Sequence, residues 1–244
     1  MSEEVFVFSF DNDEDALNTL AKYHQTTIEN IRSKWKTLKK LYKEYQTHRN
    51  ESNFLFTISY FLGPDPLNIS GSFFRIFFYH RTGSNGTKSW FSRGLLNSRE
   101  GISSFVSNIN SLFPHLNFQE YESAMLGKDT QKHMSQIVGP FAFYRKKDAM
   151  ENSYQRSFLN LPEILYDVAN SDKVYSYLLK ELEPTVVKFW VEKSIDYLES
   201  YIISYWELLL GNDERSTDVG RGNNIPSENI VEIITLPKFQ SKNI

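Results

Sequence analysis

Aromatic and β-branched residues in this chain are gathered into short runs, each closed off by glycine, proline or polar residues. The runs are Phe54 to Leu62 (FLFTISYFL), Phe73 to His80 (FFRIFFYH), Val138 to Tyr144 (VGPFAFY), Thr185 to Val191 (TVVKFWV) and Ile230 to Leu236 (IVEIITL). Runs of this length and make-up read as buried strands. No apolar run approaches the roughly 18 residues that a membrane-spanning helix needs. Val5 to Phe10 reads as a further short strand or as a hydrophobic staple.

The stretches between the runs carry helical periodicity. Asp11 is a suitable N-cap, with Asp13, Glu14 and Asp15 in the first turn, where the helix dipole favours acids. A single long helix from Glu14 to Thr47 follows, its apolar side carrying Leu17, Leu20, Ile28, Ile31, Trp35, Leu38, Tyr42 and Tyr45. Further helices are expected over Ser89 to Leu96, over Arg99 to Leu112, from Pro162 to about Leu182, and from Asp196 to Leu210 with Gly211 as its terminator. Asn212 to Asn224 reads as a polar loop. The fold class is therefore α+β, with residues 1–50 as an N-terminal helical extension and 51–244 as an α+β domain.

Several chemistries are excluded by residue type. A chain without cysteine has no disulfide, thiol nucleophile or thiolate-bound metal. The histidines His24, His48, His80, His115 and His133 fall in no H-x-x-x-H or H-E-x-x-H pattern, so no metal is expected. Glycine-rich nucleotide loops and the G-x-S-x-G elbow are missing too. A net charge of −3 argues against a constitutive nucleic-acid coat protein but leaves room for local basic patches. The acidic N-terminus is unlike a secretory leader, and the reading expects a soluble, cytoplasmic protein without a membrane partner.

Two local patterns carry functional signal. One is a basic stripe, Arg32, Lys36, Lys39, Lys40 and Lys43, on the long helix. Its plain reading is a solvated helix face, and its sharper one is a phosphate-binding surface for RNA or DNA. The other is the end of the second run, His80-Arg81-Thr82, followed by the small-residue loop Gly83-Ser84-Asn85-Gly86 and by Ser89 to Leu96. A histidine at a strand end can hydrogen-bond a ligand hydroxyl at a cleft rim, or can simply bond a backbone carbonyl.

A strand ending in His80-Arg81-Thr82, then a short loop, a helical turn and Gly94-Leu95, resembles the opening of the ADP-ribosyltransferase fold in its His-Tyr-Glu branch. Gly139 to Tyr144 is similar to that family's second core strand, and Asn224 to Ile233 to its last. The resemblance implies a split β-sheet core with helical insertions and NAD as substrate. It implies His80 on a ribose hydroxyl, the Arg81 backbone on the carboxamide, and Thr82 toward the adenosine or pinning the strand. Tyr144, or Phe143 if the register slips, would stack on the nicotinamide. A carboxylate would steady an oxocarbenium-like state. Glu214 is the first choice for it, then Glu207, then Glu163. The resemblance further implies a protein or nucleic-acid acceptor and a toxin or anti-phage defence role with an antitoxin or complex partner. The alternative is a non-catalytic nucleic-acid- or partner-binding protein on a degenerate version of the fold.

Overall fold

The computed structural model describes residues 5–48, 50–63, 71–151, 161–211 and 216–238. In chain order the elements are β1 (Val7–Phe8), α1 (Asp13–Tyr23), α2 (Ile28–Ser33), α3 (Trp35–His48), α4 (Glu51–Leu62), β2 (Phe73–Ser84), α5 (Ser98–Leu112), α6 (Gln119–Lys132), β3 (Phe141–Phe143) and α7 (Lys146–Met150). The remainder are α8 (Glu163–Ala169), α9 (Lys173–Glu181), β4 (Glu183–Ser194), α10 (Leu198–Gly211), β5 (Ser216–Asp218) and β6 (Ile230–Thr235). The protein is α+β, as expected. Among the described residues no helix is long and apolar enough to cross a membrane.

Sequence expectations are corrected at several points. Phe54 to Leu62 is helix, not strand: it buries Phe54, Leu55, Ile58, Ser59 and Leu62, a helical period. Asn50 starts it, its side chain accepting from the Asn53 amide at 3.0 Å. The single helix from Glu14 to Thr47 is three helices. Gln25 adopts a left-handed φ of 47°, which ends the first, and Thr27 caps the second by accepting from the Asn30 amide at 3.1 Å. Asn12, not Asp11, caps α1, accepting from the Asp15 amide at 3.0 Å. The polar loop from Asn212 contains strand β5, and the helical stretch after Gly86 is only a 3-10 turn, Lys88–Phe91.

Packing divides the chain into two compact units. One comprises Met1–Phe77, Tyr144–Lys147 and Trp190–Arg215, and the other Phe78–Phe143, Asp148–Phe189 and Ser216–Ile244. In the first unit α10 is buried nearly all round, and α1, α3 and α4 pack on it. Val7 and Phe8 of β1 pair in parallel with Arg75 and Ile76. Phe8 is fully buried between the Phe74 ring at 5.1 Å and the Tyr205 ring at 5.2 Å. His24 is buried within this unit: it accepts from Trp206 Nε1 at 3.1 Å and meets Ser59 Oγ at 3.3 Å.

In the second unit the strand order is β5-β3-β2-β4-β6, with β2 entering it at Phe78 and β4 leaving it after Phe189. The pairs β2–β3, β3–β5 and β4–β6 are antiparallel. A separate helical core joins α5, α6, α8 and α9 through Phe105, Ile109, Phe118, Met125, Leu165 and Leu178. These residues recur at helical spacing, so each helix turns one stripe inward.

Candidate active site

The second unit holds the His80 region. Tyr79 of β2 pairs with Phe143 of β3 and is fully buried, so the half-buried His80 that follows points to the other face of the strand. The imidazole Nδ1 lies 2.7 Å from the carbonyl oxygen of Phe141. A carbonyl only accepts, so Nδ1 carries the proton and Nε2 is left with a lone pair. No described residue donates to that Nε2. Burial pulls the His80 pKa below its usual 6.5. The bond to Phe141 opposes this, and the neighbouring Arg81 cation adds to the fall. His80 is thus neutral near pH 7, an oriented acceptor rather than the hydroxyl donor that a cationic ring would be.

Arg81 and Thr82 follow on β2. The Arg81 guanidinium sits 4.7 Å from the centre of the Phe143 ring, which is itself buried. Thr82 Oγ1 donates to the Gly83 carbonyl at 3.4 Å. The loop beyond is tied to itself, with the Gly86 amide donating to Ser84 Oγ at 2.9 Å and the Thr87 amide to Asn85 Oδ1 at 3.0 Å.

Two of the short motifs come together. Leu95 and Ile225 exchange backbone hydrogen bonds, at 2.9 Å and 2.8 Å. Gly94 makes the approach possible: its φ is +86°, and a Cβ there would lie 2.0 Å from the Ile225 carbonyl oxygen. Beside this bridge opens a cleft of about 450 Å³, lined by Lys88, Ser89, Phe91 and Ser92 on one side and by Ser227, Glu228, Ile230 and Ile233 on the other.

Sequence reasoning missed a second group near Phe141. The Phe141 ring is 44% exposed and stacks on His133, with centroids 6.1 Å apart. His133 Nε2 lies 3.7 Å from Oδ1 of Asp129, and Asp129 is buried and accepts from Ser98 Oγ at 3.1 Å. The available signal was the spacing Asp129-x-x-x-His133, which puts both side chains on one helix face.

The remaining named residues fall elsewhere. Tyr144 belongs to the first unit, half-buried, with its ring 6.1 Å from that of Tyr201. Glu207 is buried on α10 of the same unit. Glu163 opens α8 in the second unit, exposed, its carboxylate 2.6 Å from Lys132 Nζ. Glu214 lies outside the described residues. The basic stripe is divided by the helix break: Arg32 lies on α2 and pairs with Glu14, while Lys36, Lys39, Lys40 and Lys43 are exposed along α3. Among the described residues no three acidic or imidazole side chains are grouped to hold a metal ion. Comparison with protein-family models, curated proteins and solved structures yields no match for this chain.

Proposed function

We propose that the second unit binds NAD as an ADP-ribosyltransferase-like domain, with its strands serving as that fold's split sheet. The observation that carries this reading is the state of His80: neutral, half-buried, fixed through Nδ1, and with Nε2 unengaged by described residues. A hydroxyl of the nicotinamide ribose would donate to that Nε2. The bond from ribose to nicotinamide would then break, its electron pair leaving with the ring, and an acceptor on a protein or nucleic acid would attack the anomeric carbon. A carboxylate close to the ribose would stabilise the cationic sugar, and Glu214 keeps first place for that part. The bridge between Leu95 and Ile225 supports the reading, since it joins the two motifs that the resemblance places around one sheet. A toxin or defence role in the cytoplasm, with an antitoxin or complex partner, belongs to the same proposal.

The test is a thermal-shift titration with NAD on the full chain, alongside chromatographic detection of released nicotinamide. NAD at about 100 times its Kd should stabilise the native state by about 2.7 kcal/mol. His80→Ala should weaken binding by tenfold or more, and Glu214→Gln should lower nicotinamide release while leaving the shift in place. No shift at millimolar NAD, or an equal shift with His80→Ala, would overturn the proposal.

A further inference from the structure

In the first unit α3 packs on α4 and α10, and its buried positions are Leu38, Tyr42 and Tyr45. A helix turns about 100° per residue, so these three fall within an arc of about 60°. Lys36, Lys39, Lys40 and Lys43 fall within an arc of about 100°, its middle about 140° away from that of the buried stripe. All four lysines are exposed. Thr47 lies inside their arc and Gln46 at its edge, so the arc holds neither a carboxylate nor an aromatic ring.

These lysines are set apart from other cations of the chain by what surrounds them. Arg75, Arg93, Lys132 and Lys238 each face a carboxylate at 3.3 Å or closer. Lys36, Lys39 and Lys43 face none among the described residues. Lys40 has Glu44, which flanks the arc, at 3.9 Å. Every lysine of the stripe stands three or four residues from another, so like charges are neighbours along the whole helix face and repel one another. A polyanion laid along the stripe relieves that repulsion, and the bare cations select one.

The residues of the arc also select the kind of polyanion. Single-strand binding draws on aromatic side chains that stack on bases, and this arc has none. Docking on a membrane surface needs an apolar side to sink into the lipid, and the apolar side of α3 is turned into the protein. What the stripe offers is positive charge alone, over about 10 Å of helix axis. A duplex presents one phosphate charge per about 1.7 Å of its axis, so about six over that length, against about three for one stacked strand. We propose that the α3 stripe is a binding site for double-stranded nucleic acid, held through its phosphates without reading its bases. Arg32, which lies on α2 and pairs with Glu14, stands outside the site. The site does not depend on NAD binding by the second unit.

Fluorescence anisotropy on the full chain tests it, with labelled duplexes of DNA and of RNA of about 16 base pairs and a single strand of the same length, and with phosphatidylserine vesicles by co-sedimentation. A duplex should bind more tightly than the single strand, the two duplex arms telling DNA from RNA. The log–log salt slope on duplex DNA should be about −3.6 if each lysine neutralises one phosphate, a loss of about 150-fold between 50 and 200 mM salt. Lys39→Ala with Lys43→Ala should flatten that slope by about 1.8. Lys128→Ala with Lys173→Ala removes the same charge from exposed positions of the second unit and should leave the slope unchanged. All the substituted positions are exposed, and circular dichroism checks that the variants fold. Undetectable binding of both duplexes at low salt, tighter binding of the single strand, equal slopes for the two double variants, or vesicle binding in place of duplex binding would each overturn the proposal.

Discussion

His24 in the first unit and His80 in the second are both depressed in pKa, yet they differ in what their nitrogens do. At His24 both are used: the indole of Trp206 donates to Nε2, so the proton sits on Nδ1 and donates to Ser59. Burial pushes its pKa down to about 3. At His80 a backbone carbonyl holds one nitrogen and the other keeps a lone pair at a half-buried position. A histidine with both nitrogens satisfied inside the protein is part of its structure. One held by a single bond is oriented and has an atom left for a ligand.

The sharpest test of that contrast is truncation of the buried partner. Trp206→Ala removes a fully buried indole and the donor to His24, and should cost about 3–5 kcal/mol in denaturant-midpoint measurements. His80→Ala should cost no more than about 1 kcal/mol, one net hydrogen bond. A larger loss at His80 than at Trp206 would break the comparison.

Acid should find His24 next. Its native pKa of about 3 lies below the unfolded value of 6.5, so between these pH values the unfolded chain binds a proton that the native state refuses. Stability is fully present above pH 6.5 and falls as pH drops toward 3, by an amount on the order of 4 kcal/mol across the window. Urea titrations of His24→Gln should show a shallower decline over that range than the unaltered chain. Parallel curves would remove His24 from the acid response.

The smallest effect has the opposite sign. Tyr205 lies in the same core as His24, fully buried, and its hydroxyl has no partner among the described residues. Burial raises its pKa well above 10, and nearby Asp15 adds to the rise. Tyr205→Phe removes an unsatisfied hydroxyl and should be neutral or stabilise by up to about 1 kcal/mol in thermal melts. A clear destabilisation would mean that the hydroxyl has a partner, such as a bound water.

Much of the fold was legible because its signals are local. Gly211 and Pro162 bound helices near where their chemistry predicts, TVVKFWV lies within β4, and IVEIITL forms β6 up to Thr235. The failures share a cause. FLFTISYFL is apolar enough for either state, and neither composition nor length separates a buried strand from a helix lying on α10. Reading it as a buried strand also hid Phe56 and Tyr60, which are exposed only because the segment is helical. Ser216 to Asp218 has only Thr217 as a strand former and is strand because β3 lies beside it. Of the candidate site, the sequence pattern puts His80 at the end of a strand, whereas β2 runs on through Arg81 and Thr82 to Ser84. The carbonyl that orients His80 lies 61 residues away.

By itself the sequence determined the fold class, the exclusion of thiol chemistry, and both ends of α5 and α10, because residue type, period and capping act over a few residues. Only the tertiary structure decided which histidine is tied at both nitrogens and which at one. It alone decided where one helix becomes three, and which aromatic rings reach solvent. Those outcomes depend on partners brought together across tens of residues, and no local pattern encodes them.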